Sequence, residues 1–179
     1  GVVFDGGGNT VDYMRVEADD FAGLIGAVHN ATLKGIVVGE NSSVTSSWGS
    51  ACYGGIAGGY DYSAASYESD AEGASFKAGG YAVRVEDCVN RAAIWAGYAQ
   101  SFGGVIGGLP SAGDQNIYAM ARCANYGRVT GEPEEWGGGL VGTAHGGTVA
   151  YCYNRGEVDD SLPGVANNTF LAIGCYNAA

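Results

Sequence analysis

Short runs of alternating apolar and polar residues, cut at recurring places by glycine, extend along most of the chain. Thr148-Val149-Ala150-Tyr151-Cys152-Tyr153-Asn154 is one such run. Alternation over about half a dozen residues between glycines is a strand pattern. The repeats do not carry apolar residues at i, i+3, i+4 and i+7, as stacked amphipathic helices would.

Two kernels recur in alternation. One is a glycine-flanked apolar step: Ala22-Gly23-Leu24-Ile25-Gly26, Gly54-Gly55-Ile56-Ala57-Gly58, Gly103-Gly104-Val105-Ile106-Gly107 and Gly138-Gly139-Leu140-Val141-Gly142. The other is Cys-x-Asn, at Cys88 and Asn90, Cys123 and Asn125, Cys152 and Asn154, and Cys175 and Asn177. Cys88 to Gly103 and Cys123 to Gly138 are both 15 residues, whereas successive cysteines are 35, 29 and 23 apart. A fixed kernel in a repeat of variable length predicts a parallel β-solenoid, whose turns swell outward while its strands stay stacked. Residues i and i+2 of a strand share a side, and successive coils lie about 4.8 Å apart. Cys88, Cys123, Cys152 and Cys175 are therefore expected to form one ladder. Asn90, Asn125, Asn154 and Asn177 are expected to form a second, amide to amide.

We read residues 1–179 as a single all-β solenoid domain of five to six coils, about 25 Å long at that spacing. Its first coil is Val2 to Val11 with Tyr13 to Val16, its second lacks Cys-x-Asn, and an excursion loop fills residues 59–81. The chain stops in mid-coil at Asn177-Ala178-Ala179. An open strand edge invites pairing, so a fragment of a longer solenoid, or a subunit associating end to end with another copy, is the expectation.

Composition narrows the class. Glycine supplies 33 of 179 residues, and each glycine costs a helix roughly 1 kcal/mol relative to alanine. Three prolines and no Gly-X-Y period exclude collagen, and 46% hydrophobic residues with 12 Tyr, 5 Phe and 3 Trp exclude a disordered chain. The net charge of −11 repels phosphate backbones and anionic lipid, so nucleic acid is not an expected partner. No run approaches the ~18 apolar residues of a membrane span, and Gly1 to Thr10 is not a signal peptide. With Lys34 and Lys77 the only lysines, the surface rests on Ser, Thr, Asn, Gly and Tyr, a balance more usual outside a cell.

Phe4-Asp5-Gly6-Gly7-Gly8-Asn9-Thr10-Val11, with Phe21 to Gly26 and Ala31 to Val38, resembles the opening of bacterial surface proteins with GLUG-type repeats. Cys123-Ala124-Asn125-Tyr126-Gly127-Arg128-Val129 and Cys152-Tyr153-Asn154-Arg155-Gly156-Glu157-Val158 are similar to their Cys-Tyr-Asn-x-Gly-x-Val unit, although the last repeat continues only as Leu162-Pro163-Gly164-Val165. The resemblance implies a right-handed parallel β-helix within a large secreted or wall-attached bacterial protein, an adhesin, an extracellular peptidase or a protein of unknown role, in which the repeats serve as stalk or display surface without activity of their own.

Candidate chemistry is sparse. Stacked cysteines fall within the Cα separation of disulfides, and small buried thiols are the other reading; five is an odd number, which leaves at least one thiol free. Without a Cys-x-x-Cys, and with His29 and His145 far from the cysteines, no metal site is expected. Gly137 to Gly142 matches G-x-G-x-x-G, but Thr143 to Thr148 cannot supply the helix a dinucleotide needs, so no cofactor is expected. Asp19, Asp20, Asp61, Glu68, Asp70, Glu72, Asp159 and Asp160 read as solvated turn residues; calcium is the alternative at Asp159-Asp160 or the excursion loop. That loop gathers Tyr60, Asp61, Tyr62, Tyr67, Glu68 and Asp70, rings and acceptors suited to sugar, or else an ordinary loop packed by its own tyrosines. The expected function is a non-catalytic extracellular module presenting a surface to glycans or a host surface protein. A carbohydrate-active lyase or hydrolase on a β-helix and a self-assembling fibre subunit are the alternatives.

Overall fold

The computed structural model describes residues 2–28, 31–46, 52–60, 83–109, 118–144, 147–167 and 171–179. These form an all-β fold in which every strand pairing is parallel. Among them there is no helix, and so none long and apolar enough to cross a membrane.

Four sheets share the strands. The first is Val2–Asp5, Ala31–Lys34, Val83–Glu86, Tyr118–Ala121, Thr148–Ala150 and Leu171–Ile173, in that spatial order. The second is Thr10–Val11, Val37–Val38, Val89–Asn90, Ala124–Asn125, Tyr153–Asn154 and Tyr176–Asn177. The third runs through Arg15–Glu17, Ser43–Ser46, Ala93–Gly103 and Val129–Gly138, with Cys52–Gly54 beside the far end of Ala93–Gly103. The fourth is Ile25–Val28, Ala57–Tyr60, Ile106–Gly108, Val141–Thr143 and Ala166–Asn167. Order in space follows order along the chain in all four, apart from Cys52–Gly54, which shares the edge of Ala93–Gly103 with Ser43–Ser46.

In-register parallel pairing stacks like on like. Leu33, Val85, Met120 and Val149 make one buried column, and Val44, Ile94 and Val129 another. Two apolar cores result. One joins the first, second and fourth sheets around Ile36, Ile56, Ile106 and Leu140; the other lies along the third sheet around Tyr53, Ile94 and Phe102.

The corner between the first and second sheets is turned by one residue in the left-handed region: Gly35, Asp87, Arg122, Tyr151 and Gly174, with φ of 57, 54, 53, 54 and 58°. A side chain there costs about 1–2 kcal/mol, and three of these corners carry one. Glycine is used elsewhere for close approach. A Cβ on Gly104 would lie 2.3 Å from Asn125 Cγ and 2.4 Å from the Gly139 carbonyl oxygen. Gly55 stands in the same way against Asn90, Gly139 against Asn154 and Gly164 against Asn177. The apolar step before each asparagine thus interlocks with it across the stack, although the two are 35, 21, 15 and 13 residues apart along the chain. Gly164, in the irregular Leu162-Pro163-Gly164-Val165 step, takes the same place as its counterparts. The G-x-G-x-x-G match falls on strands Val129–Gly138 and Val141–Thr143 and the tight turn between them.

Candidate functional site

Inside the second sheet, the asparagines form a hydrogen-bonded ladder. Asn90 Nδ2 donates to Asn125 Oδ1, Asn125 Nδ2 to Asn154 Oδ1 and Asn154 Nδ2 to Asn177 Oδ1, each at 2.8 Å. The first three also donate to the carbonyl two residues on, at Ala92, Gly127 and Gly156, and accept from the N–H of those residues. Asn90, Asn125 and Asn154 are fully buried, so each amide exchanges water for an internal partner set. In the second repeat Val38 holds this position, paired with Asn90.

The cysteines run beside them. The Cys88 N–H donates to Cys123 Sγ at 3.4 Å, the Cys123 N–H to Cys152 Sγ at 3.3 Å and the Cys152 N–H to Cys175 Sγ at 3.5 Å. Each thiol lies over the carbonyl two residues back, at Glu86, Ala121, Ala150 and Ile173. All four are free thiols, Cys175 half-buried and the other three buried; Cys52 is buried in the third sheet. Burial pushes the Cys123 thiol well up, and the hydrogen bond shared with Cys152 pushes Cys175 up. The same shared hydrogen bonds hold the Cys88 and Cys152 thiols below their ordinary value, so what keeps the column from chemistry is burial, which shields three of its four sulfurs, and it acts as packing.

On the outside, charges alternate between adjacent strands. Asp5 pairs with Lys34 at 3.1 Å, Lys34 stands opposite Glu86, and Arg122 grips Asp87 at 2.7 and 2.9 Å and Glu86 at 3.3 Å. The Gly7 N–H and Lys34 hold Asp5 below the usual carboxylate range, the Asn41 amide does the same for Asp12, and Arg122 for Asp87.

The outward side of the second sheet carries an aromatic column. Tyr153 and Tyr176 stack with centroids 5.2 Å apart and planes 8° from parallel. Tyr126 meets Tyr153 edge to face at 5.6 Å, and their hydroxyls hydrogen-bond, which raises the Tyr153 phenol. The Arg91 guanidinium covers the Tyr126 ring 4.6 Å from its centroid. Arg91 and Arg155 are exposed, and among the described residues no carboxylate pairs with either. Sequence reasoning overlooked this face, because Tyr126 follows its asparagine whereas Tyr153 and Tyr176 precede theirs.

A shallow hollow of about 530 Å³ adjoins it, lined by Arg155, Glu157, Asp159, Asp160, Leu162 and Asn177 among others. Two of its carboxylates are engaged: Glu157 with Arg128 at 3.5 Å and Asp159 as acceptor from the Gly131 N–H at 3.0 Å. Among the described residues, no three His, Cys, Asp or Glu side chains converge as metal ligands would.

Asp61, Tyr62, Tyr67, Glu68, Asp70 and Glu72 lie outside the described residues; Tyr60 ends the strand Ala57–Tyr60. Comparison with models of known protein families, with curated proteins and with solved structures gives no match.

Proposed function

We propose that the four parallel sheets are the faces of one right-handed parallel β-helix, and that the chain is a non-catalytic structural and interaction module. On this reading it extends and presents a surface outside a bacterial cell, as the resemblance to GLUG-type repeat proteins implies. The observation that carries it is that strands succeed one another in chain order along each of the four sheets, together with an asparagine ladder, buried but for its last rung, that bonds the strands of Asn90, Asn125, Asn154 and Asn177 in series. Parallel crossovers are right-handed in the great majority of cases, which supports the hand. The polar chemistry is spent on stacking: amides bond to amides, charges pair between neighbouring strands, and two of the carboxylates in the hollow are held by Arg128 and a backbone N–H. A hydrolase or lyase instead needs acids or a base converging on a substrate.

Glycan-array binding by the whole chain and by a form lacking residues 60–80, with chromatography of the unbound oligosaccharides, tests this. Retention of glycans in unchanged length is the expected result. Shortened products that disappear in an Asp160→Asn variant would overturn it in favour of an enzyme.

A further inference from the structure

We infer that the outward face of the second sheet, between Arg91 and Arg155, is a binding site for a carboxylate-bearing polysaccharide. The inference rests on the reading of the chain as a surface module and names its ligand. With 19 acidic against 8 basic residues the overall field opposes an anionic ligand, so a site for one needs positive charge gathered on one face. Lys34, Arg122 and Arg128 each pair with a carboxylate; Arg15, Arg84, Arg91 and Arg155 have no such pair among the described residues, and of these Arg91 and Arg155 border the aromatic column.

Their spacing follows from register. Asn90, Asn125 and Asn154 pair in successive strands, so Arg91, Tyr126 and Arg155, each one residue further on, succeed one another along the stack. The two arginines are therefore separated by two strand spacings, about 10 Å, with Tyr126 between them. One strand spacing is comparable to the advance of one sugar in an extended polysaccharide. In an extended chain of two-fold symmetry successive sugars turn opposite edges to the same side, so an acidic chain lying along the stack places carboxylates two sugars apart at the two guanidinium groups and the uncharged edge of the intervening sugar at the phenols.

The face is also ordered before any ligand arrives. Tyr126 is fixed by the Arg91 stack and by its hydroxyl bond to Tyr153, and Tyr153 by its stack on Tyr176. A guanidinium held over a ring by its central carbon still has N–H groups to offer a carboxylate. Preorganised side chains lose little entropy on binding. Of the acids in the adjoining hollow, Glu157 is paired with Arg128 and Asp159 is turned to the Gly131 N–H, while Asp160 has no ion pair among the described residues.

The test is calorimetric titration of the whole chain with linear oligogalacturonate and with its methyl ester, at low and high salt, alongside Arg91→Gln, Arg155→Gln and the double variant. The free acid is expected to bind, and the ester and the double variant to lose about tenfold or more in affinity. High salt is expected to weaken the free acid selectively. Both arginines are exposed, so the variants should keep the parent circular dichroism; should one unfold, the ester and salt comparisons on the parent still decide. No binding of the free acid, equal affinity for the ester, or an unchanged double variant would each overturn the inference and leave the surface-module reading standing. Cleavage of the oligosaccharide would overturn that reading instead.

Discussion

Asn125 uses the whole capacity of its side chain. It donates to Asn154 and to the Gly127 carbonyl, and accepts from Asn90 and from the Gly127 N–H. Truncation therefore strands partners above and below as well as its own amide. Asn125→Ala should lower unfolding stability by roughly 3 kcal/mol, since each buried group left unpaired costs about 1–3 kcal/mol. Asn177→Ala, at an exposed rung, should cost about 1 kcal/mol, because water can replace the lost acceptor. Urea unfolding of the two variants distinguishes them; equal losses would mean that the asparagines do not form an interior ladder. The shared side of each Cys and Asn is legible from the two-residue period alone. The left-handed backbone at Arg122 and Tyr151 is not, because those side chains do not favour that region, whereas Asp87 is of a type that visits it.

At the scale of the strand, charges of opposite sign face one another across neighbouring strands, where like charges would repel. The order Asp5, Lys34, Glu86 with Asp87, then Arg122 penalises any slip of one repeat past another. Asp5, Asp12 and Asp87 all sit below the usual carboxylate range when folded. A depressed carboxyl contributes stability that is present above its unfolded pKa, about 3.9, and that is lost as pH falls through the lower folded value. Urea midpoints should therefore hold as the solution is acidified to about pH 4 and fall below it. Asp87→Asn, which removes the Arg122 partner, should flatten that fall, and an identical pH profile would count against the assignment. These pairings could not be read in advance, because 35 residues separate Asp87 from Arg122 and only the register brings them together. The spacing of the kernels was legible, whereas the contact of each glycine step with the asparagine that follows it needed the packing, because their separation along the chain varies.

Across the whole molecule, repetition makes the sequence readable and variation in the repeat hides the surface. Kernels that recur mark the interior, where identical residues stack and bond. The aromatic face between Arg91 and Arg155 never recurs as a motif: Ala124 stands where Tyr153 and Tyr176 stand, and Tyr126 reaches them from the far side of its asparagine. The central claim, that successive repeats lie over one another in parallel register, is tested most directly by nuclear Overhauser spectroscopy on isotopically labelled protein. The account predicts amide-to-Hα contacts linking Val89 with Ala124 and Ala124 with Tyr153, and a scalar coupling through the hydrogen bond from Asn90 Nδ2 to the Asn125 side-chain carbonyl. Close Hα-to-Hα contacts, the mark of antiparallel pairing, or Cys88, Cys123 and Cys152 found remote from one another, would contradict it.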